Sequence, residues 1–445
     1  MKIKLLKLWD SLHTSYWFVP TLMAIIATAL AIAMLTLDRV DLSGPIEQLG
    51  WVYTGGPEGA RTVLSSIAGS MITVAGTVFS ITLVALQLAS SQFGPRLLRN
   101  FMQDTGNQVV LGTFIATFIY CLLVLRTIRG EDYDVFVPQI SVTVGIVLAI
   151  VSIGVLIYFI HHASTSIQAS HVISEVGNEL DKAIERLFPE KIGQDTKHIG
   201  RQIDEIPTSF DREACAIVAV CSGYLQAIDD NKLMEIAQQK DLLLRLNYRP
   251  GKFIFRGTKL VMVWPGKLVN EKLAKEINSA FILGRQRTEQ QDVEFLVNQL
   301  VEIAVRAISP GVNDPFTAIQ CIDQLSAALC CLAEREFPSP YRYDDDNKLR
   351  VIADATTFVH LTDAAFNQIR QYSKPDVAVV IRLLEAIAII ATHTQNKNHR
   401  DVLLRHAETI KRSSDREISE EYDRFCIQER YLAVVKALNN PYSLT

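Results

Sequence analysis

The chain has 445 residues, 49% hydrophobic and 21% charged, with a formal net charge of −4 and a mean hydropathy of +0.18. That length exceeds one ordinary domain, and the apolar content excludes a disordered or collagen-like chain. A pI near 6.2 leaves no global footprint for nucleic acid, which is not expected as a partner.

The charge is unevenly spread. Residues 1–163 hold only nine Lys/Arg and nine Asp/Glu of the chain's 44 and 48. A charge-poor stretch followed by a charge-rich one is the profile of a membrane domain joined to a soluble one. Four uncharged runs lie in the first part, at residues 17–37, 63–90, 109–125 and 140–160. Twenty-one residues make about 31 Å of helix, enough for a bilayer core. The expectation is four transmembrane helices over residues 1–163. The first run follows Lys2, Lys4 and Lys7, as a signal peptide would. Its Ala31-Ile32-Ala33 triplet, however, lies inside the apolar run, which also outlasts a signal core of about 7–15 residues. It reads as an uncleaved span.

Basic residues near the span ends set the orientation. Lys2, Lys4, Lys7, Arg96 and Arg99 on one side slightly outweigh Arg39, Arg61, Arg126 and Arg129 on the other. Four spans put both termini on the same side. A large charged C-terminal region without a secretory signal is placed most simply in the cytoplasm, so N-in and C-in is expected. The seven Cys are scattered and form no C-x-x-C, which reads as buried thiols rather than disulfides or a metal site.

The second run carries the most information. On a helix, one seam reads Ser66, Ser70, Thr73, Thr77, Ser80, Val84, Gln87 and Ser91. The opposite seam, through Leu64, Ile67, Met71, Val74, Val78, Ile81 and Leu88, is wholly apolar. A polar face has no partner in lipid and should meet protein or water. Two roles fit Ser66, Ser70, Thr73, Thr77, Ser80 and Gln87. With Gly69 and Gly76 they would let helices approach closely; around an axis of several copies they would line a conduction path. The span cores hold no Asp, Glu, Lys or Arg, which argues against a carrier built on an intramembrane carboxylate. Gly94-Pro95 then breaks the helix. Arg96 and Arg99, three apart, suit lipid phosphates or a basic ring at a pore mouth.

His161 and His162 end the fourth run on different helix faces and are expected at the interface, not on a metal. Residues 164–208 read as an amphipathic linker helix and loop. Residues 209–268 read as a small β-rich unit, with strands at 216–221, 224–228, 242–246, 253–255 and 260–264. The last two are expected to form a hairpin, and Arg249-Pro250-Gly251-Lys252 a type II turn. Residues 269–445 read as a helical domain. Its very apolar segment 377–391 contains Arg382 and Glu385 and is a core helix, not a fifth span. Asp344-Asp345-Asp346 lacks EF-hand spacing and reads as a solvated turn.

The densest polar segment runs from Arg285 to Pro315. Thr288 and Gln291 fit a capping box, and Asp314-Pro315 fits an N-cap with Pro at N1. Arg285, Arg287, Arg306 and Asn313 remain, near two helix starts whose N–H groups favour anions. They would bind a small anionic ligand, or Asp292 would pair with an Arg and lock the fold.

Residues 70–76 (SMITVAG), 88–99 (LASSQFGPRLLR) and 308–318 (ISPGVNDPFTA) resemble, in order, the signatures of a bacterial family of predicted four-span inner-membrane proteins catalogued as a domain of unknown function. The resemblance implies four spans and a cytoplasmic domain, and supplies no activity or catalytic residue. The expected fold is an α-helical membrane domain followed by a cytoplasmic α+β region, mostly helical with a small β-rich unit. No nucleophile elbow, zinc-protease, P-loop or dinucleotide motif is present, so neither enzyme activity nor a cofactor is expected. The expected function is a homo-oligomeric inner-membrane channel in contact with lipids, lined by the second span. The alternative is a non-conducting receptor or scaffold.

Overall fold

The computed structural model describes residues 17–39, 52–94, 104–129, 136–188, 206–373 and 375–439. Two compact units divide the chain, Met1–His171 and Val172–Thr445.

The first unit contains α1 (Phe18–Arg39), α2 (Pro57–Phe93), α3 (Thr105–Leu125) and α4 (Gln139–Ser166). Helix α3 packs against the other three, and α4 also touches α1 and α2. The sequence of α3 explains its central place, because after a polar first turn it is apolar on every face. Phe114, Tyr120, Cys121 and Val124 are fully buried there. Helix α2 begins at Pro57, whose missing N–H costs nothing at N1. It ends at Gly94, whose φ of 107° suits only a residue without a Cβ. Helices α1 and α4 turn Ile25, Ile26, Ile32, Ile150, Ile153 and Ile157 outward, each more than half exposed. Apolar faces of that extent suit hydrocarbon, not water.

Among the described residues five helices, not four, are long and apolar enough to cross a membrane. The fifth is Pro315–Ala333 in the second unit. A count of uncharged runs passes over it because it carries Asp323.

The second unit starts within α5 (Ala169–Leu187), whose buried Val172, Ile173, Val176, Leu180 and Ile184 follow helical spacing. Gly177 lies so close to Gln324 that a Cβ would come within 2.3 Å of its Oε1. Helix α5 is therefore packed into this unit, while the loop expected after it lies largely outside the described residues.

Then follow α6 (Phe210–Glu213), β1 (Cys215–Val218), β2 (Gly223–Ile228), α7 (Asp230–Gln239), β3 (Leu243–Leu246), β4 (Phe253–Ile254), β5 (Lys259–Trp264), α8 (Glu271–Asn278) and β6 (Phe281–Gly284). After α9 (Val293–Ala307) and α10 (Pro315–Ala333) come β7 (Tyr341–Tyr343) and β8 (Leu349–Ile352). The strands form two sheets, ordered β1-β5-β3-β8-β7 and β4-β2-β6. All pairs are antiparallel except β3 with β8. Strands thus extend beyond residue 268, because β6 forms an edge of one sheet and β8 and β7 extend the other past β3. The expected hairpin of residues 253–264 does not form: β4 pairs with β2, and β5 with β1 and β3. Ala219 takes the bonds that would have closed it, donating to the Thr258 carbonyl and accepting from Gly257 N–H. The turn at Arg249 forms as expected, with Gly251 at φ 92°. Asp344 is not solvated, since Arg350 Nε covers it at 2.6 Å and it ties the β7–β8 turn.

Helices α11 (Phe358–Tyr372), α12 (Val377–Thr392), α13 (Lys397–Glu417) and α14 (Glu421–Asn439) complete the unit. Helix α12 is a core helix, with Leu383, Leu384, Ile387 and Ile390 fully buried.

Candidate functional site

The polar seam of α2 is exposed along its whole length: Ser66, Ser70, Thr73, Thr77, Ser80 and Gln87 all face away from the other helices. The opposite seam is buried where it meets the unit's core, with Leu64 and Val78 at 0% and Met71 at 7% exposure. Each central hydroxyl donates to a carbonyl four residues earlier, Ser70 to Ser66, Thr73 to Gly69, Thr77 to Thr73 and Ser80 to Gly76, at 2.8–3.1 Å. Their second hydrogen-bonding capacity faces outward. A Cβ added at Gly69 or Gly76 would meet nothing within 4 Å, so the face is open beside the hydroxyls. The site is a hydroxyl stripe that shares the exposed surface of α2 with Ile72, Phe79 and Leu83. Arg96 and Arg99, expected at its mouth, lie outside the described residues.

Two polar clamps, both absent from the sequence expectation, hold the helices that support this stripe. Asp38 at the end of α1 accepts the N–H groups of Ile140 and Ser141 at 2.9 and 3.0 Å, satisfying the start of α4. Asp104 caps α3 through Gly106 N–H at 2.8 Å and holds His162 Nε2 at 2.6 Å. The Asp104-Thr105-Gly106 start before an apolar run was a legible cap signal; its distant His162 partner was not. Between the clamps, the Thr117 and Ser152 hydroxyls meet at 3.1 Å in the buried α3–α4 contact.

In the second unit, α9 starts at Val293, so the capping box expected of Thr288 and Gln291 does not form. Thr288 Oγ1 is buried without a partner. The Gln291 side chain instead grips the backbone of Ile228, accepting its N–H at 2.9 Å and donating to its carbonyl at 3.0 Å. Pairing of β6 with β2 draws residues 285–291 along the sheet edge, and the helix starts only beyond it. Asp292 takes Arg287 Nε and Nη2 at 2.8 and 2.7 Å. Burial pushes its carboxyl above the ordinary range, and Arg287 opposes that rise. Arg249, 6% exposed, reaches Glu294 at 2.9 Å and extends the lock. Gly251 is required beside it, for a Cβ there would lie 2.2 Å from Asp292 Oδ2.

The expected anion site is not assembled. Arg287 is taken by Asp292 and Arg285 is exposed. Arg306 sits in the last turn of α9, about 20 Å along the helix from Asp292, and faces Glu302 at 3.6 Å. Asn313 is exposed in the left-handed region, φ 52°. Asp314 does cap α10, accepting Thr317 N–H at 3.2 Å and its hydroxyl at 2.6 Å. Among the described residues no group of three His, Cys, Asp or Glu could hold a metal.

A family model described as "Predicted membrane protein (DUF2254)" matches residues 13–388. The chain is similar to uncharacterized proteins of Mycobacterium bovis and Mycobacterium tuberculosis, 33% identical to each over 445 residues, covering 98% of this chain and 83% of theirs. No solved structure matches it.

Proposed function

We propose, for a chain that belongs to the DUF2254 family of predicted membrane proteins, that several copies assemble a permeation pathway with α2 at its centre. Four spans, α1 to α4, cross the bacterial inner membrane, with both termini in the cytoplasm. The fifth apolar helix, α10, is read as a core helix of the second unit, because its Asp323 pairs with Arg382 of α12 at 2.6 Å. The second unit assembles or gates the pathway and performs no chemistry.

One observation carries this reading. Helices α1 and α4 expose isoleucines, as lipid demands; the exposed surface of α2 includes Ile72, Phe79 and Leu83 as well, but one seam of it carries Ser66, Ser70, Thr73, Thr77 and Ser80 in succession. Such a stripe is matched to a second copy or to water. The non-conducting scaffold is supported by a different feature of the same face. Each central hydroxyl is already satisfied within its helix, so close helix packing needs no water.

Planar bilayers containing the purified full chain separate the two. Thr77→Leu adds apolar bulk at the middle of the seam and should lower conductance on the order of tenfold in the intact oligomer, by dewetting a narrow constriction. Ile72→Leu, on an exposed apolar position, should not. A parent that carries no current under any voltage, tension or ligand condition, with Thr77→Leu dissociating the oligomer, would leave the scaffold.

A further inference from the structure

Helices α11 and α13 run side by side in the same direction. Phe358 stacks on His399 with ring centroids 4.0 Å apart, and Phe366 meets His406 edge-on at 5.9 Å. Between them Asp363 binds both Arg405 and His406, the latter through Nε2 at 2.8 Å. These contacts set one register along the pair. Extended two turns past Asp363 and Arg405, that register puts Arg370 level with Arg412, near enough for the charge of Arg412 to act on it.

This is an unusual meeting, because among the described residues no acid is paired with either guanidinium. Asp363 is occupied by Arg405 and His406, and Asp415 by Lys411. Glu408, one turn before Arg412, makes no ion pair with it among the described residues. Arg412 donates only weakly, to the Thr409 hydroxyl at 3.3 Å. Arg370 is half-buried, and its Nε is buried with no partner. Burial, then the charge of Arg412, hold the Arg370 guanidinium below its ordinary pKa. The buried His406 is also pushed down, chiefly by desolvation, so its imidazole stays neutral near pH 7 and supplies no charge to offset the two guanidiniums.

A half-buried cation facing a like charge is costly, and folded chains ordinarily pair such groups. Two forked guanidiniums offer parallel N–H donors whose geometry matches an oxyanion. We infer that Arg370 and Arg412, with Arg405 at the rim, form a binding site for a phosphate-type oxyanion on the α11–α13 face of the second unit. This site does not depend on whether α2 conducts. The same chemistry is carried by a soluble phosphate or by a lipid phosphate headgroup.

The test uses the full chain in phosphatidylcholine nanodiscs and chloride buffer. In one arm inorganic phosphate is titrated at constant ionic strength; in the other, phosphatidate is added to the nanodisc. A ligand of the folded state raises the thermal midpoint saturably. The parent should show that rise in one arm, which identifies the source. Arg370→Gln and Arg412→Gln should each weaken binding about tenfold or more, and Arg285→Gln should leave it unchanged. Arg412 is exposed, so its variant keeps the test decisive even if Arg370→Gln fails to fold. No saturable rise in either arm, or a rise that survives both substitutions, overturns the site.

Discussion

His162 Nε2 lies 2.6 Å from Asp104 Oδ2, so the end of α4 is tied to the very residue that caps the start of α3. Asp38 does the reverse at the other end, joining the end of α1 to the start of α4. Helix α4 is thus held at both ends by carboxylates from its neighbours. Asp104→Ala should destabilise the first unit by about 0.5–2 kcal/mol through the lost cap alone, with a further loss from the freed His162. His162→Gln keeps the cap and should cost less. Thermal unfolding of both variants in detergent checks the order; equal losses would remove the cap from the account.

Topology is testable without a structure. Single cysteines at Asp41 and Asp132, in a cysteine-free background, should label from outside intact cells, and one beside Arg96 should not. Labelling at Arg96 instead would invert the proposed orientation.

Arg287 and Thr288 are adjacent but should behave oppositely. Arg287→Ala leaves the buried Asp292 unpaired and should cost about 3–5 kcal/mol. Thr288→Val removes a hydroxyl that has no partner and should be neutral or stabilising. A capping box would predict a loss at Thr288, so denaturant midpoints of the two variants decide it.

His399 should make the second unit acid-sensitive. Packed against Phe358, its imidazole is pushed down to about 4 by burial. The unfolded chain takes up a proton near the ordinary value of 6.5, and the folded chain resists it until about 4. Stability is unaffected above that window and falls as pH drops through it, by about 3 kcal/mol at most. His406 is shifted in the same direction, so His399→Phe should flatten the pH dependence without abolishing it. An unchanged slope between about pH 7 and pH 4 would rule His399 out.

Arg370→Met should raise the thermal midpoint in chloride buffer free of oxyanions, because it removes a half-buried charge facing Arg412. A lowered midpoint would mean that Arg370 has a stabilising role in the unliganded chain.

Uncharged run length and helical seams are properties of neighbouring residues, so the apolar helices, the hydroxyl stripe from Ser66 to Ser80 and the Asp314 cap were all readable in the chain. So was the core character of α12, since Arg382 and Glu385 interrupt an otherwise apolar segment. Partnership between distant residues was not readable in that way. Thr288 and Gln291 have the right spacing for a cap, but β6 pairing with β2 draws them away from the helix start. Arg285, Arg287, Arg306 and Asn313 look like one basic cluster along the chain, yet a straight helix about 20 Å long separates its ends. Arg370 and Arg412 stand 42 positions apart in sequence and become neighbours only through the packing of α11 on α13. Local pattern sets which elements form; the burial of one element against another sets which charges must face each other.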